Sequence, residues 1–466
     1  MPKIAAGCEL TEAQLVPCLS NLKEFLEPFM ASLVRTEQRR AFEVYVRGRL
    51  SNLERRTLEP IATAAGLPRR PIQRFVGAGP WSDAPVLGEL RAQVVERLGS
   101  DEAVISIDPS GFPKKGDDSV GVTRQWCGRL GKVESCQKGI FVSYASAKGF
   151  ALVDFALYLP EDWAEDPARR AKCHVPADVV FQTCTDMAER QVLAARSMPH
   201  GWIAGDDEYG RDSKLRRILR FHRERYVLDV PSNTRVLPRV SKVADALVGG
   251  LRPAAAPTAP EKPLTAKQWA DTLDRRTWAR FVVREGQKGP LRVRAACVPV
   301  LTRPSDQCEF TEKERLVVIE TLGRKRERRY CLAHAADATP LETLVRVAAS
   351  RHHIEEALET AKGDAGLAHY EVRSWVGWHH HMTLSLVAAW FLALERKRLG
   401  GKNTRHHRLA NAPSRSAPAP KSSPVDPGGR ASRHDATRPQ RGVAPGPLAF
   451  RSEGPAATWG VEGAVA

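Results

Sequence analysis

Residues 350–362, with the sequence SRHHIEEALETAK, are predicted to form the helix around which the rest of the chain is organised. Glu, Ala, Leu and Lys favour a helix, and neither Gly nor Pro interrupts the stretch before Gly363. At about 3.6 residues per turn, Arg351, Glu355 and Lys362 share one face. That face would carry a guanidinium, a carboxylate and an ammonium, which suits a metal and a phosphate. The alternative is a solvated helix with spaced charge pairs.

The composition favours a folded protein with a polyanionic partner. The chain has 466 residues, 42% of them hydrophobic, which suits about two or three domains. Lys+Arg number 71 against Asp+Glu 54, a net charge of +17. The nine cysteines form no C-x-x-C pair, which predicts reduced thiols in a cytoplasmic protein and argues against a structural zinc site. The apolar run 382–394 is shorter than the roughly 20 residues of a membrane span.

Residues 1–98 are predicted to be a helical domain. Within it, the segment 58–76, LEPIATAAGLPRRPIQRFV, has the helix, Gly-containing turn and second helix of a helix-turn-helix. The second helix would turn four polar side chains toward DNA, namely Arg69, Arg70, Gln73 and Arg74. The alternative is an ordinary helical hairpin with a solvated basic face.

Residues 99–231 alternate strands and helices, which predicts a mixed α/β core. The apolar run 103–107, AVISI, ends in Asp108, and the short run WIAG ends just before Asp206. A hairpin is predicted from 139–160 and a helix from 177–197, with Val180 on its apolar face. In the turn after Asp108, Lys114 and Lys115 are candidates for contact with the phosphate backbone, and a solvated turn is the alternative.

The remaining chain divides into three regions. Residues 232–335 contain four strand-like segments and are predicted to be a β-rich insertion, whose basic tip 323–329 would lie on a phosphate backbone or be a solvated loop. Residues 336–400 return to helices, beginning at a capping box formed by Thr339, Pro340 and Glu342. Residues 401–466 are rich in Pro, Ser, Ala and Arg, which predicts a disordered basic tail.

The candidate site consists of carboxylates that follow strands or lie on the helix described first. In a compact α/β domain, Asp108, Asp206 and Glu355 can converge, and three converging carboxylates need cations to neutralise them. Oxygen ligands suit Mg²⁺. Two such ions about 3.5–4 Å apart stabilise the attacking and leaving oxygens of an in-line phosphoryl transfer.

Three segments together resemble a known family. The sequences IDPSGFPKKG around Asp108, GDDEYG around Asp206 and RHHIEEALETAK around Glu355 are similar to those of DDE transposases of bacterial insertion sequences. The likeness is to the branch whose last motif is Tyr, Arg, Glu and Lys at steps of three, four and seven. It implies an RNase H-like core, interrupted by the β-rich insertion before the helix that carries the Glu.

By position, the resemblance makes Asp108, Asp206 and Glu355 the metal-binding triad. Arg351 and Lys362 would grip DNA phosphates near the cleaved bond. In this sequence Ala348 stands where that branch has Tyr. The implied cofactor is two Mg²⁺ ions, with Mn²⁺ as a substitute.

The resemblance also implies the activity and the partners. The protein would bind double-stranded DNA at element ends, cleave it and join the 3′ ends to target DNA, as a homodimer associated with the nucleoid in the bacterial cytoplasm. Two other functions stay open, a structure-selective nuclease on the same fold and a catalytically silent DNA-binding protein derived from a transposase.

Several neighbours of these residues are weaker candidates. Asp207 would point to the opposite side from Asp206 if the strand continues. Glu356 lies about 100° round the helix from Glu355, whereas Glu359 shares its face as a bystander or a weak rival. The histidines of the segments 352–353 and 379–381 are expected to be packed or to face DNA, because no ligand set at zinc spacing accompanies them.

Overall fold

Five helices precede the first strand within the described residues. The computed structural model describes residues 17–239, 262–284, 290–323 and 326–400. The helices are α1 (Pro17–Leu26), α2 (Thr36–Arg49), α3 (Leu58–Ala64), α4 (Arg69–Ala78) and α5 (Ala84–Leu98), with a 3₁₀ turn at Pro28–Met30. The helix, turn and helix predicted between residues 58 and 76 are therefore present as α3 and α4. Their buried side chains, such as Ile61 and Ile72, belong to the main hydrophobic core.

Twelve strands of the described chain form one sheet. The first six are β1 (Val104–Pro113), β2 (Thr123–Cys127), β3 (Lys132–Ser146), β4 (Gly149–Leu157), β5 (Trp202–Gly205) and β6 (Tyr226–Val230). Strand β3 pairs antiparallel with β1, β2 and β4. Strand β5 lies parallel to both β1 and β6. The predicted mixed α/β class is confirmed, and β3 and β4 are the predicted hairpin.

Short helices connect β4, β5 and β6. They are α6 (Glu161–Ala164), α7 (Pro167–Lys172), α8 (Cys184–Ala195), α9 (Asp207–Gly210) and α10 (Ser213–Phe221). The predicted helix 177–197 begins only at Cys184, where Thr183 caps it by accepting a hydrogen bond from the Asp186 backbone N–H. Val180 lies before the helix and is 65% exposed, so its placement on a buried helical face was wrong.

The strands of residues 232–335 extend the same sheet. They are β7 (Arg235–Pro238), β8 (Leu264–Thr265), β9 (Ala279–Arg284), β10 (Leu291–Thr302), β11 (Glu312–Thr321) and β12 (Arg328–His334), with helix α11 (Ala266–Asp271) and a 3₁₀ turn at Arg275–Thr277. Strand β12 pairs antiparallel with β6, and β11 and β10 follow in order. The four segments predicted as strands are therefore strands, and they continue the core sheet at the edge of β6.

Three helices complete the described chain: α12 (Leu341–Ser350), α13 (His352–Gly363) and α14 (Trp375–Arg398). Pro340, not Thr339, is the N-cap of α12, and no side chain caps that end, so the predicted capping box was wrong. The helix predicted over residues 350–362 begins at His352, because Ser350 is the last residue of α12 and α13 starts after Arg351.

The break at Arg351 follows from packing on the two sides of the sheet. Ile107 and Ile203 face the core that contains α13 and α14, whereas their strand neighbours Trp202 and Ala204 face a second core that contains α12. Successive strand residues point to opposite faces. Helices α12 and α13 therefore cover opposite faces, and Arg351 lies where the chain crosses from one face to the other.

Some predictions lie outside the described residues. The tail 401–466 is among these, and the basic tip 323–329 is described only in part. None of the helices in the described ranges combines the length and apolar character that crossing a membrane requires.

Candidate active site

Two carboxylates are placed side by side by the parallel pairing of β1 and β5. Asp108 lies within β1, and Asp206 follows the last residue of β5. Ile107 pairs with Gly205, so the two aspartates come next on neighbouring strands, which lie about 4.8 Å apart. Asp206 also caps helix α9, because its carboxylate accepts hydrogen bonds from the backbone N–H groups of Glu208 and Tyr209.

The third predicted carboxylate, Glu355, lies in the first turn of α13. Arg351 stands one turn before it and forms an ion pair from Nη2 to Glu355 Oε1 at 2.6 Å. The same guanidinium reaches Asp108 Oδ1 from Nη1 at 3.5 Å. The crossing of the chain at Arg351 thus places the predicted helix face beside Asp108 in the middle of β1.

A fourth carboxylate, Asp229, was missed by sequence reasoning. It lies on β6, beside β5 in the sheet, and its Oδ2 is 3.3 Å from Arg351 Nε. Arg329 of β12 donates to both oxygens of Asp229 at 2.8 and 2.6 Å. The available signal was a lone aspartate in the otherwise apolar strand sequence YVLDV.

These groups line one cleft with a volume of about 1680 Å³. Lys362, one of the predicted phosphate contacts, donates from Nζ to Ser110 Oγ at 2.5 Å. Lys138, which sequence reasoning missed, is 3.1 Å from Glu208. The charged residues of the cleft wall are Glu54, Arg56, Asp108, Arg129, Lys138, Asp206, Asp207, Glu208, Arg211, Asp229, Arg328, Arg329, Arg351, Glu355, Glu359 and Lys362. The cleft therefore presents both carboxylates and cationic side chains.

Burial and mutual repulsion destabilise the charged form of the two aspartates. Burial raises the pKa of Asp108 to about 7, with a smaller contribution from the charge of Asp206, while Arg351 acts in the opposite direction. Burial also raises the pKa of Asp206 to about 6, with Glu208 adding to the effect. A cation bound between these groups would lower both pKa values.

The side chains fit a hard divalent cation once Arg351 moves aside. Within the described residues, no three His, Cys, Asp or Glu side chains already converge as a ligand group. The reason is visible at Arg351, whose guanidinium lies between Asp108, Asp229 and Glu355. Carboxylate oxygens are the ligands that Mg²⁺ and Mn²⁺ prefer, and a cation at Asp108 would oppose the effect of burial, which raises the pKa of this carboxyl.

Lys114 and Lys115 do not line this cleft. The Lys114 Nζ donates to the Tyr370 carbonyl at 3.1 Å and lies 3.3 Å from the centre of the Tyr370 ring. Burial lowers the pKa of Lys114 to about 7. Lys115 is exposed. Their proposed contact with DNA stays a prediction.

The four predicted DNA-facing residues of α4 lie together on its exposed side. They are Arg69, Arg70, Gln73 and Arg74. Arg69 is 3.4 Å from Glu59 of α3. The opposite side of α4 buries Ile72, Phe75 and Val76. The helix is therefore packed against the core on one side, and its polar side faces solvent.

The weaker candidates are distributed around the site. Asp207 turns to solvent and pairs with Arg211 at 2.7 Å, and Glu359 is exposed on the cleft wall. Ala348 is buried against the second core. The histidines of α14 are packed: His380 is 3.0 Å from the Val76 carbonyl, and His381 is 2.8 Å from the Tyr45 hydroxyl.

Two buried arginines, also missed from the sequence, hold the C-terminal end of α13. Arg49 of α2 donates from Nε to the Ala365 carbonyl at 3.2 Å, and Arg56 donates from Nη2 to the Gly363 carbonyl at 2.6 Å. Cations at a helix C-terminus satisfy its free carbonyls and its dipole. Gly366 has φ +65°, and a Cβ there would lie 2.8 Å from Arg49 Nη2, so both geometry and space require glycine.

The family assignment agrees with this site. A family model described as DDE superfamily endonuclease matches residues 28–290, which is more than half of the 466-residue chain. The chain belongs to this family of endonucleases. The matched region includes Asp108, Asp206 and Asp229 and ends before Glu355.

Two individual proteins show more limited similarity. A 121-residue segment is 29% identical to a protein of Microchaete diplosiphon described as a probable transposase for insertion sequence element IS701. The alignment covers 26% of this chain and about a third (32%) of that protein. The crystal structure of the NurA nuclease from Sulfolobus solfataricus aligns with a TM-score of 0.22 and 9% identity, over 70% of this chain and 93% of the nuclease chain.

Proposed function

We propose that this protein is a DNA transposase that binds the ends of its element, cleaves DNA by metal-dependent phosphoryl transfer and joins the 3′ ends to target DNA. The observation that carries the proposal is the meeting of Asp108, Asp206 and Glu355 in one cleft. Arg351 and Lys362 line the same cleft. Acidic groups for a metal and basic groups for phosphates are the parts that phosphoryl transfer needs.

The topology supports an RNase H-like core. Its strands follow the order β4-β3-β1-β5-β6, with β1, β5 and β6 parallel to one another. The carboxyl ends of parallel strands meet at one edge of a sheet, where α/β folds place their ligands. Asp108, Asp206 and Asp229 lie toward that edge.

Asp108, Asp206 and Glu355 are the proposed ligands of two Mg²⁺ ions, for which Mn²⁺ can substitute. Such ions, when bound, neutralise the charge that develops on the attacking and leaving oxygens of the phosphate. The chain itself supplies the positioning. Lys362 and Arg351 hold phosphate oxygens of the cleaved strand, since each presents N–H donors to the cleft.

DNA recognition is assigned to a surface outside the cleft. The exposed polar residues of α4 would contact the element end, where arginine and glutamine suit both base edges and phosphates. Two ends must be held together for joining, so the active complex is proposed to be a homodimer on double-stranded DNA.

The cleavage step is tested with Asp108→Asn. The variant is expected to lose Mg²⁺-dependent cleavage of element-end DNA by about 10³-fold, since a metal ligand contributes several kcal/mol to catalysis. Binding of the same DNA, measured by fluorescence anisotropy without metal, should change by less than about 3-fold because the fold is kept.

Asp118→Asn is the matched control. Asp118 also pairs with two cations, Lys172 and Arg373, but on the surface outside the cleft. It should cleave at the wild-type rate. Equal loss of cleavage and binding in Asp108→Asn would contradict the assignment.

Strand joining separates the proposal from the two other functions. Wild-type protein is supplied with a pre-nicked end that carries a free 3′ hydroxyl, together with a supercoiled target plasmid and Mg²⁺. A transposase yields joined product. Cleavage without joining would indicate a structure-selective nuclease, and binding without either reaction would indicate a silent DNA-binding protein.

A further inference from the structure

The guanidinium of Arg351 is shared among three carboxylates with different proposed roles. Its Nη2 is 2.6 Å from Glu355, its Nη1 is 3.5 Å from Asp108, and its Nε is 3.3 Å from Asp229. Asp108 and Glu355 are proposed metal ligands, whereas Asp229 is not. A divalent cation would therefore take two of these three partners from Arg351.

Asp229 is held in place by groups other than Arg351. Arg329 of β12 donates to both of its carboxylate oxygens, at 2.8 and 2.6 Å. Cys331 Sγ lies 3.0 Å from Oδ1. The side chain of Asp229 is only 16% exposed. This carboxylate is therefore a fixed negative charge at the cleft, held through both oxygens by Arg329, and its Oδ2 also faces Arg351 Nε.

When a divalent cation occupies the cleft, its charge determines which carboxylate Arg351 still contacts. A cation at Asp108 and Glu355 repels the guanidinium, which at 20% exposure cannot reach full hydration without leaving the cleft wall. Among its three carboxylate partners, Asp229 is the one that then remains. Its contact is to Nε, so the two terminal nitrogens of Arg351 become available to phosphate oxygens.

We propose that Asp229 is a positioning residue that retains Arg351 at the cleft when Asp108 and Glu355 bind metal. The inference rests on the proposed function, because it requires a divalent cation at those two residues. Without Asp229, the guanidinium would compete with the cation for Asp108 and Glu355. Asp229 then supports metal binding through Arg351, without itself being a ligand.

A double-mutant cycle tests this coupling without any cleavage reaction. Mn²⁺ alone is titrated by calorimetry into four DNA-free, full-length proteins: wild type, Asp229→Asn, Arg351→Ala and the double variant. Loss of a negative charge weakens Mn²⁺ binding in any background, and this general effect cancels in the cycle. The coupling predicts that Asp229→Asn weakens binding about tenfold more when Arg351 is present than when it is absent.

Further variants make the result specific. Asp229→Glu keeps the negative charge and should recover most of the Mn²⁺ affinity that Asp229→Asn loses. If Asp229→Asn does not fold, Asp229→Glu replaces it in the double-mutant cycle. The coupling with Arg351 should then be smaller and have the same sign. Asp118→Asn, which removes a carboxylate that also bridges two cations, should leave Mn²⁺ binding unchanged. Melting temperatures measured by circular dichroism confirm that the compared proteins are folded.

The outcomes separate the inference from the proposed function. Equal weakening by Asp229→Asn in both backgrounds would overturn the positioning role and make Asp229 a ligand or a distant charge. If wild-type protein binds no Mn²⁺ and cleaves no DNA, the proposed function fails and the positioning role fails with it. If wild type binds Mn²⁺ and cleaves DNA while the cycle shows no coupling, only the positioning role fails.

Discussion

The cleft and the packed interior both contain carboxylates beside arginines, but their charges are balanced differently. In the interior, Glu314 is fully buried and is contacted by Arg216 at 3.1 Å and Arg220 at 3.3 Å. The Tyr226 hydroxyl donates to Glu314 at 2.5 Å, and Thr302 donates to its other oxygen. In the cleft, by contrast, Arg351 alone is shared among three carboxylates.

The contrast shows how a structural cluster differs from a binding site. Around Glu314, each carboxylate oxygen already has donors, so the cluster is complete and joins β11 to α10 and β6. In the cleft, Arg351 is shared among three carboxylates, and burial raises the pKa of Asp108 to about 7, with a smaller contribution from the charge of Asp206. A buried cluster that lacks positive charge is organised to receive it from a ligand.

The largest expected effect is on catalysis, at Glu355. Glu355→Gln keeps the size of the side chain and removes its charge, so cleavage of element-end DNA should fall by about 10³-fold. Glu359→Gln is the matched control, because Glu359 lies one turn later on the same exposed wall of the cleft. Gel assays of Mg²⁺-dependent cleavage compare the two. An equal loss in both variants would make Glu359 a ligand.

The next effect is on stability, at Glu314. Glu314→Gln leaves the buried Arg216 without its carboxylate partner, while Arg220 keeps Glu312 at 3.0 Å. Breaking such a buried cluster costs about 3–5 kcal/mol of unfolding free energy. Denaturant titration measures it. The control is Asp306→Asn, because Asp306 pairs with Arg217 at 2.9 Å on the surface, and its loss should cost less than about 1 kcal/mol. If Glu314→Gln lost less than about 1 kcal/mol of unfolding free energy, the Glu314 cluster would not stabilise the fold, and it would not differ from the cleft in the way described.

A pH-dependent effect is expected at Lys114, a cation packed outside the cleft. Burial lowers its folded-state pKa to about 7, so between pH 7 and pH 10 the unfolded chain binds more protons at this site. Stability from this group therefore rises with pH through that interval and is lost as pH falls to about 7. The free energy of unfolding, relative to Lys114→Met, should increase by about 2–3 kcal/mol from pH 7 to 9.5.

Lys115→Met provides the comparison for this measurement, because Lys115 is the exposed neighbour. Its stability relative to wild type should stay constant over the same pH interval. If the stability difference between wild type and Lys114→Met is also constant over this pH interval, the Lys114 amine stays charged in the folded protein. Burial would then not lower its pKa.

The smallest effect is expected on the exposed face of α4. Arg74→Ala should weaken binding to element-end DNA by about 3-fold and lower the slope of log affinity against log salt by about one, as expected for one phosphate contact. Arg97→Ala, at an exposed arginine of α5, is the control. Anisotropy titrations at several salt concentrations measure both. A loss of cleavage at saturating DNA would instead connect α4 to the cleft.

The sequence predicted a feature correctly where local residue spacing and the chemistry of one residue type are enough to define it. Asp206 follows WIAG at the end of β5 as predicted, whereas β1 continues past Asp108 to Pro113, so the predicted strand end at Asp108 was wrong. The face shared by Arg351, Glu355 and Lys362 follows from helical spacing. Asp229 escaped prediction because its strand looks entirely structural, and its importance depends on pairing with β5 and β12, which are distant in the chain.

The amino-acid sequence by itself determined most of the strands and helices, the basic character and the acidic residues Asp108, Asp206 and Glu355, because these follow from local periodicity and residue chemistry. Only the tertiary structure decided the break at Arg351, since α12 and α13 must cover opposite faces of one sheet. It also decided that Arg351 lies among Asp108, Asp229 and Glu355. Electrostatic balance depends on distances between groups, and those distances exist only in the folded chain.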